Sequence, residues 1–215
     1  ATASITVRNS AQVSVAKSWT DGQVGNQVTI SSTGGTNNPE LVAVADTATE
    51  VDAGSAVTVY AGETLTLAET FDVGNSASYA TNLTCTGATD VNPSDGLSIV
   101  AADDGANIVC TFTNTGLAEM HAAKTPGTVT GPDAVGTYEA TYTVTVTNGG
   151  IAPTTYGPLV DTPSFDTNLI ISGASWTTSG PGAPAGGSAS GAGPFTLAPA
   201  GSGIGGGVIH TYNVT

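Results

Sequence analysis

Residues 13–19, Val13-Ser14-Val15-Ala16-Lys17-Ser18-Trp19, place Val13, Val15, Lys17 and Trp19 on one face with a period of two. That period belongs to a β-strand with one buried face, because successive strand side chains point to opposite sides. Residues 109–115 alternate in the same way and put Cys110, Phe112 and Asn114 on a shared face. Such runs recur at roughly 8–12-residue spacing, and no stretch has a convincing helical period. The expectation is an all-β protein. Lys17 is the anomaly: it is one of two lysines in 215 residues, and it shares its face with two valines and a tryptophan. The ordinary explanation is an inward lysine that blunts a sheet edge, or one that snorkels to water.

Charge narrows the function. Charged residues make up 9 % of the chain, against a usual ~25 %. Hydrophobic residues reach 39 % and are spread through β-type runs, so low charge here predicts folded domains and not disorder. The net charge is −14, from 3 basic and 17 acidic residues. Such an acidic surface argues against nucleic acid and anionic membranes as partners, since both demand phosphate-neutralising cations. No run of 18 apolar residues exists, so no membrane-inserted helix is expected. Cys85 and Cys110 each sit in a strand-like run. Together they fit one disulfide in an oxidising compartment, with two buried thiols as the alternative. His121 and His210 have no neighbouring ligand set, and no Ser/His/Asp arrangement is recognisable. No metal, no cofactor and no turnover are therefore expected. Asp103-Asp104 and Asp90 with Asp95 read as turn carboxylates ahead of Ca²⁺ ligands.

Along the chain, a short strand over residues 1–9 ends in Asn9. Strands are expected over 11–19, 27–31, 41–45, 56–60, 64–69, 79–86, 97–101 and 107–114, with Asp103-Asp104-Gly105 as a hairpin turn between the last two. After a connector at 116–120 come 138–147, 155–160, 169–176, 195–197 and 208–214. Residues 180–194, rich in Gly, Pro, Ala and Ser, read as a loop. One echo stands out: Asn9 precedes Lys17, and Asn114 precedes Lys124, each across a short connector. It suggests a tandem array in which the last strand of one module hands over to the first of the next. The expected organisation is 1–9, a strand of a preceding module; 10–116, one β-sandwich; and 117–215, a second β-sandwich, truncated or completed by another strand. The chain starts and stops inside strand-like sequence, which predicts a piece of a longer one.

The first domain resembles the Cna-B/SpaA-type, prealbumin-like domains of bacterial surface proteins. The residues that carry the resemblance are Val15-Ala16-Lys17-Ser18-Trp19, the run 61–71 with Glu69, and Val109-Cys110-Thr111-Phe112-Thr113-Asn114-Thr115. The second domain is similar to short Ig-like repeats of long cell-surface proteins, through Ala123-Lys124-Thr125, residues 142–149 and Leu159-Val160-Asp161-Thr162-Pro163. The resemblance implies two tandem Ig-like/inverse-transthyretin-like β-sandwiches, exported and displayed on a bacterial cell surface. It also implies a covalent isopeptide bond from Lys17 to Asn114, with Glu69 as the proton shuttle. Glu63 is a competing choice of acid. For a second bond at Lys124, Asp161 is the candidate acid. Asn213 falls mid-strand and makes a poor acceptor, whereas Asn9 of another copy could supply one by strand addition.

The chemistry is physically coherent. An amine attacks a carboxamide only when neutral, and burial lowers a lysine pKa while raising that of a carboxylic acid. The buried acid then polarises the amide carbonyl and carries protons to departing ammonia. The expected function is structural: a self-crosslinked stalk or fibre module whose partners are neighbouring modules or head-to-tail copies. The alternative is an adhesin domain that binds a host, matrix or cell-surface ligand.

Overall fold

The computed structural model describes residues 7–215, and the chain divides after Leu117 into two compact units. The described residues hold no α-helix, only β-strands and three short 3-10 turns. The expected strand over 1–9 lies mostly outside the described residues, and Val7, Arg8 and Asn9 belong to no strand.

The first unit contains β1 (Ser10–Thr20), β2 (Gln27–Thr33), β3 (Leu41–Val44), β4 (Glu50–Ala53), β5 (Val57–Tyr60), β6 (Thr64–Val73), β7 (Tyr79–Thr86), β8 (Leu97–Ser98) and β9 (Asn107–Gly116). One sheet runs β4-β1-β9-β7, with β5 continuing the β4 side of β1. The other runs β3-β2-β6-β8. Val13 and Val15 of β1 and Ile108, Cys110 and Phe112 of β9 meet Ile30, Leu65 and Leu97 of the second sheet in one core. Two sheets closing on a shared core give a β-sandwich-like architecture. Each aliphatic side chain fully buried there contributes roughly 1.5–3 kcal/mol. The first and last strands, β1 and β9, lie side by side and parallel, with Lys17 opposite Phe112 and Trp19 opposite Asn114. Cys85 and Cys110, directly opposed across β7 and β9, form the disulfide.

The second unit contains β10 (Met120–Thr130), β11 (Glu139–Asn148), β12 (Thr154–Tyr156), β13 (Leu159–Asp161), β14 (Gly173–Ser179), β15 (Gly187–Ser190), β16 (Phe195–Ala198), β17 (Ser202–Ile204) and β18 (Ile209–Val214). Its main sheet runs β10-β11-β18-β14-β15, and β12-β17 and β13-β16 form two-stranded ribbons. Val144, Val146, Tyr212 and Val214 of the sheet pack with Phe195, Leu197 and Ile204 of the ribbons.

Several sequence expectations change. Residues 97–101 and 107–114 do not form a hairpin: β8 pairs with β6, while β9 lies between β1 and β7. The reason is Asp103, whose buried carboxylate accepts from the Thr89 hydroxyl and the Thr89 and Val100 backbone amides and so shapes a 3-10 turn. Burial pushes its pKa up, but these hydrogen bonds outweigh that and hold it below the ordinary value. The Asp90 carboxylate likewise accepts the Asn92 and Ser98 amides. Residues 155–160 split into β12 and β13 at Gly157-Pro158, where Gly157 takes a positive φ of 94°. The 180–194 stretch is not all loop. Its small residues form β15 against β14, and a Cβ on Gly187 would sit 2.8 Å from the Trp176 ring.

The disulfide closes a loop between residues 25 apart in sequence. Replacing Cys85 and Cys110 together by serine is expected to lower the first unit's stability by about 3 kcal/mol. The fall should be read as a lower urea midpoint, with a steeper slope because the unfolded chain, freed of the link, exposes more surface.

Candidate functional site

Three strands bring Lys17, Glu69 and Asn114 together. On β1 every inward position is fully excluded from solvent, and Lys17 is 0 % exposed along with Val13, Val15 and Trp19. Neither ordinary explanation holds, because Lys17 does not snorkel and does not lie at an edge: β9 flanks β1 on one side, and β4 and β5 flank it on the other. On β9 the inward set is Ile108, Cys110, Phe112, Asn114 and Gly116, and Asn114 is also 0 % exposed. Glu69 arrives from the opposite sheet, on the β6 face that carries Leu65, Leu67 and Phe71.

Glu69 sits between the other two. Its Oε2 accepts a hydrogen bond from Asn114 Nδ2 at 3.0 Å. Its Oε1 lies 3.1 Å from Lys17 Nζ, an ion-pair distance without hydrogen-bond alignment. Lys17 Nζ also donates to the Ser18 and Phe112 carbonyls, each at 3.3 Å, and stands 4.3 Å from the Trp19 ring centre. The carbonyl oxygen of Asn114 is buried and has no hydrogen-bond partner. Burial lowers the Lys17 pKa to about 8, against the opposing pull of Glu69. An amine, a carboxyl and a carboxamide with an unsatisfied carbonyl thus share one dry site. Trp19, Phe71 and Tyr79 cluster beside it, with ring centres 5.4–6.2 Å apart.

Glu63 is excluded as the acid. It accepts from Thr36 and the Tyr60 amide and pairs with Arg8 at 3.7 Å, on the surface turn after β5. Among the sequence features that were missed is β4, which places Asp52 opposite Lys17 in the β1–β4 register. Burial first, then Glu50 and Asp46, raise the Asp52 pKa.

In the second unit, Lys124 Nζ donates to Asp161 Oδ1 at 2.6 Å and lies 4.0 Å from the Tyr142 ring centre. The Tyr142 hydroxyl donates to the other Asp161 oxygen. Burial and then this contact with Asp161 push the Tyr142 pKa well above its ordinary value. Asn213 is remote from this group: it pairs with Thr143 and Thr177, on the far side of β11 from β10. Asn9 lies on the first unit, where its amide donates to the Ala101 carbonyl at 3.3 Å. The cluster therefore has an amine and an acid but no carboxamide.

His210, which the sequence left without a role, is fully buried. Its Nε2 can only donate to the Pro181 carbonyl, 2.8 Å away, so its Nδ1 accepts from Tyr156, and the Tyr156 oxygen accepts from Tyr212. The alternation of residues 208–214 places His210 inward with Tyr212 and Val214, but its partners come from the Gly/Pro-rich stretch and from β12. Asn148 is similarly spent on structure, accepting from the Glu119 and Gly150 amides and donating to the Ala152 and Gly205 carbonyls. His121 is exposed beside Glu119. The described residues hold no group of three or more His, Cys, Asp or Glu arranged for a metal ion.

Comparisons with protein-family models, with curated proteins and with solved structures returned no match for this chain.

The Lys17 shift sets a sign for pH dependence. With Asn114→Ala, which keeps the amine free, the folded lysine titrates near 8 and the unfolded one near its ordinary 10.5. Between those values the unfolded state binds the extra proton, so stability should rise with pH across that window, by an amount on the order of a few kcal/mol. Urea titrations at the two ends measure it, and adding Lys17→Met should flatten the profile. Separately, His210→Phe strands the Tyr156 hydroxyl and the Pro181 carbonyl, and should destabilise the second unit by about 1–3 kcal/mol in the same assay.

Proposed function

We propose that this chain is a mechanical module of a surface-displayed or secreted fibre, built of two tandem Ig-like β-sandwiches, in which Lys17 and Asn114 join to form an isopeptide bond. The observation that carries the reading is the single buried carboxyl of Glu69 in contact with both partners, beside an Asn114 carbonyl that nothing satisfies. A buried polar atom without a partner is costly in a folded protein, and here it lies beside an amine and an acid.

The three groups support the following reaction. Neutral Lys17 Nζ attacks Asn114 Cγ, forming a C–N bond. The Glu69 carboxyl, which here accepts from Asn114 Nδ2, has to turn its proton toward the unpartnered amide carbonyl to stabilise the oxyanion that develops there. It gives its proton to the departing nitrogen and takes in exchange the one that the attacking nitrogen sheds, ending in the form in which it began. The Cγ–Nδ2 bond breaks, ammonia leaves and an amide remains. The amine's lowered pKa, near 8, makes the reactive neutral form accessible at ordinary pH. Proximity supplies the remainder, since amine and amide are held by neighbouring strands of one core.

The mechanical consequence comes from the topology. β1 and β9 are the first and last strands of their unit and run parallel as direct neighbours. Force applied along the chain would load that pair in shear, and a bond between their side chains would carry the load past everything between them. Such a bond closes a loop of about a hundred residues and is worth roughly 5 kcal/mol in unfolded-state entropy. The disulfide, nested inside that loop, fits an oxidising compartment such as the cell surface.

Intact mass under denaturing conditions tests the reading. The chain should be lighter than its sequence by one ammonia beyond the disulfide's two hydrogens. Lys17→Ala, Asn114→Ala and Glu69→Ala should each abolish the ammonia loss and leave only the disulfide's two hydrogens missing from the variant's sequence mass. An unmodified mass in the folded wild-type chain overturns the proposal.

A further inference from the structure

We propose that the indole N–H of Trp19 is a second donor to the oxyanion that forms on Asn114, sharing with Glu69 the charge that develops there. The inference rests on the Lys17–Asn114 reading and assigns one more residue to that same site.

Two unmet groups carry it. Trp19 and Asn114 are each 0 % exposed. Trp19 Nε1 has no acceptor, and Asn114 Oδ1 has no donor. The two residues stand directly opposite one another in the parallel β1–β9 register, both on the buried face. Adjacent strands lie about 4.8 Å apart, so the two side chains leave the sheet side by side. A buried donor without an acceptor is costly, and so is a buried acceptor without a donor. Here one of each occupies neighbouring positions, unbonded, beside an amine and an acid.

The other open groups fit less well. Among the described residues, the first unit leaves three buried side-chain oxygens without a partner, on Asp52, Glu69 and Asn114. Asp52 lies on β4, opposite Lys17 and on the side of β1 away from β9. Glu69 Oε1 is turned to Lys17 Nζ at 3.1 Å. Asn114 is the residue that faces Trp19. The second unit supplies the contrast. Trp176 Nε1 is also buried without a partner, but among the described residues no buried side-chain oxygen of that unit is left open, and the strand positions opposite Trp176 are Gly187 and Val214.

Charge development accounts for a bond that is absent before the reaction. In the unreacted site Glu69 holds Asn114 Nδ2 at 3.0 Å, on the side of the amide away from Oδ1. When Lys17 Nζ adds to Cγ, the carbon becomes tetrahedral and the oxygen leaves the amide plane carrying negative charge. A donor placed for that displaced oxygen, and not for the ground-state carbonyl, lowers the barrier without tightening the starting state. An indole suits the task because it donates and does not accept. It forms no covalent bond and transfers no proton: Cγ gains Lys17 Nζ and loses Nδ2 as ammonia, as before. The Trp19 ring also stands 4.3 Å from Lys17 Nζ, so one side chain borders both the attacking atom and the carbonyl. Its edge-on packing against Phe71 and Tyr79 holds the indole in place before the charge appears.

The test follows bond formation in time. Full-length chain recovered from inclusion bodies in denaturant, never folded and still at its full sequence mass, is diluted into native oxidising buffer. Quenched intact mass then follows the loss of one ammonia, and circular dichroism follows folding separately. Trp19→Phe removes the donor but also opens a cavity. A second chain therefore carries benzothienylalanine at position 19, which keeps the fused ring over Lys17 and has sulfur in place of the N–H. With the sulfur ring, folding should keep the wild-type rate while ammonia loss slows by roughly 10²-fold, the scale on which one oxyanion donor acts. The final mass and the pH midpoint of the rate should be unchanged, because Lys17 and Glu69 stay where they were. A sulfur-ring chain that loses ammonia as fast as the wild type overturns the inference and leaves the Lys17–Asn114 reading standing. A shifted pH midpoint also overturns it, since the ring then acts by repositioning the amine or the acid. A folded wild-type chain that keeps its ammonia overturns the Lys17–Asn114 reading itself, and this inference with it.

Discussion

The Glu69 carboxyl, held in a dry core between an amine and an amide, is the constraint on which the first unit turns. It crosses from one sheet to touch β1 and β9 of the other, so the three groups meet only when both sheets have closed. A buried ion pair is weak evidence for stability, because stripping water from both charges offsets their attraction. Breaking one partner away is worse, since it leaves a charge with neither water nor counter-ion. The site is therefore poorly explained as a stabilising contact that happens to be internal. It is better explained as the starting state of a reaction that removes both charges and fills the unmet bonding capacity of Asn114. In that view folding itself is the catalyst. On the proposed reading, closure of the sandwich is what brings amine, acid and amide together.

Much of this site was legible in the sequence, for a definite reason. Period-two alternation assigns side chains to faces, and it set Lys17 with Val13, Val15 and Trp19, and Asn114 with Phe112 and Cys110. A lysine on an apolar face is rare enough to be informative. Periodicity says nothing about which strands adjoin. The resemblance implied a Lys17–Asn114 contact, and the parallel pairing of β1 with β9 is seen only in the structure. The hairpin expected at residues 103–105 failed on the same point: the turn residues were right, but Asp103 spends its carboxylate on Thr89 and Val100, and the chain leaves toward β1. Strands β4, β10 and β15 escaped notice: β10 is exposed along its whole length and shows no apolar alternation, and β15 is built of Gly, Ser and Ala.

His210 failed to declare itself for a different reason. Its partners, Tyr156 and Pro181, are remote in sequence and come from segments with no alternation to read. Its network also shows what a structural polar cluster looks like. The proline carbonyl fixes which ring nitrogen carries the proton, and each hydroxyl in turn finds one acceptor. Nothing in it is left over, so it has nothing to do except hold β12, β18 and the Pro181 turn in place. The Lys17 site differs in that it leaves Asn114 Oδ1 without a partner. Satisfaction, more than burial, separates a polar group that is architecture from one that is poised to react.

The two lysines of the chain extend that contrast. Both face an acid within 3.1 Å and both lie near an aromatic ring. Lys17 has a strand laid over it and no exposure, whereas Lys124 has a bare edge beside it and water over half its length. The two lysines thus differ in what covers the amine: β9 lies beside β1 and closes Lys17 off from solvent, whereas β10 has only β11 as a described neighbour and leaves Lys124 half in water.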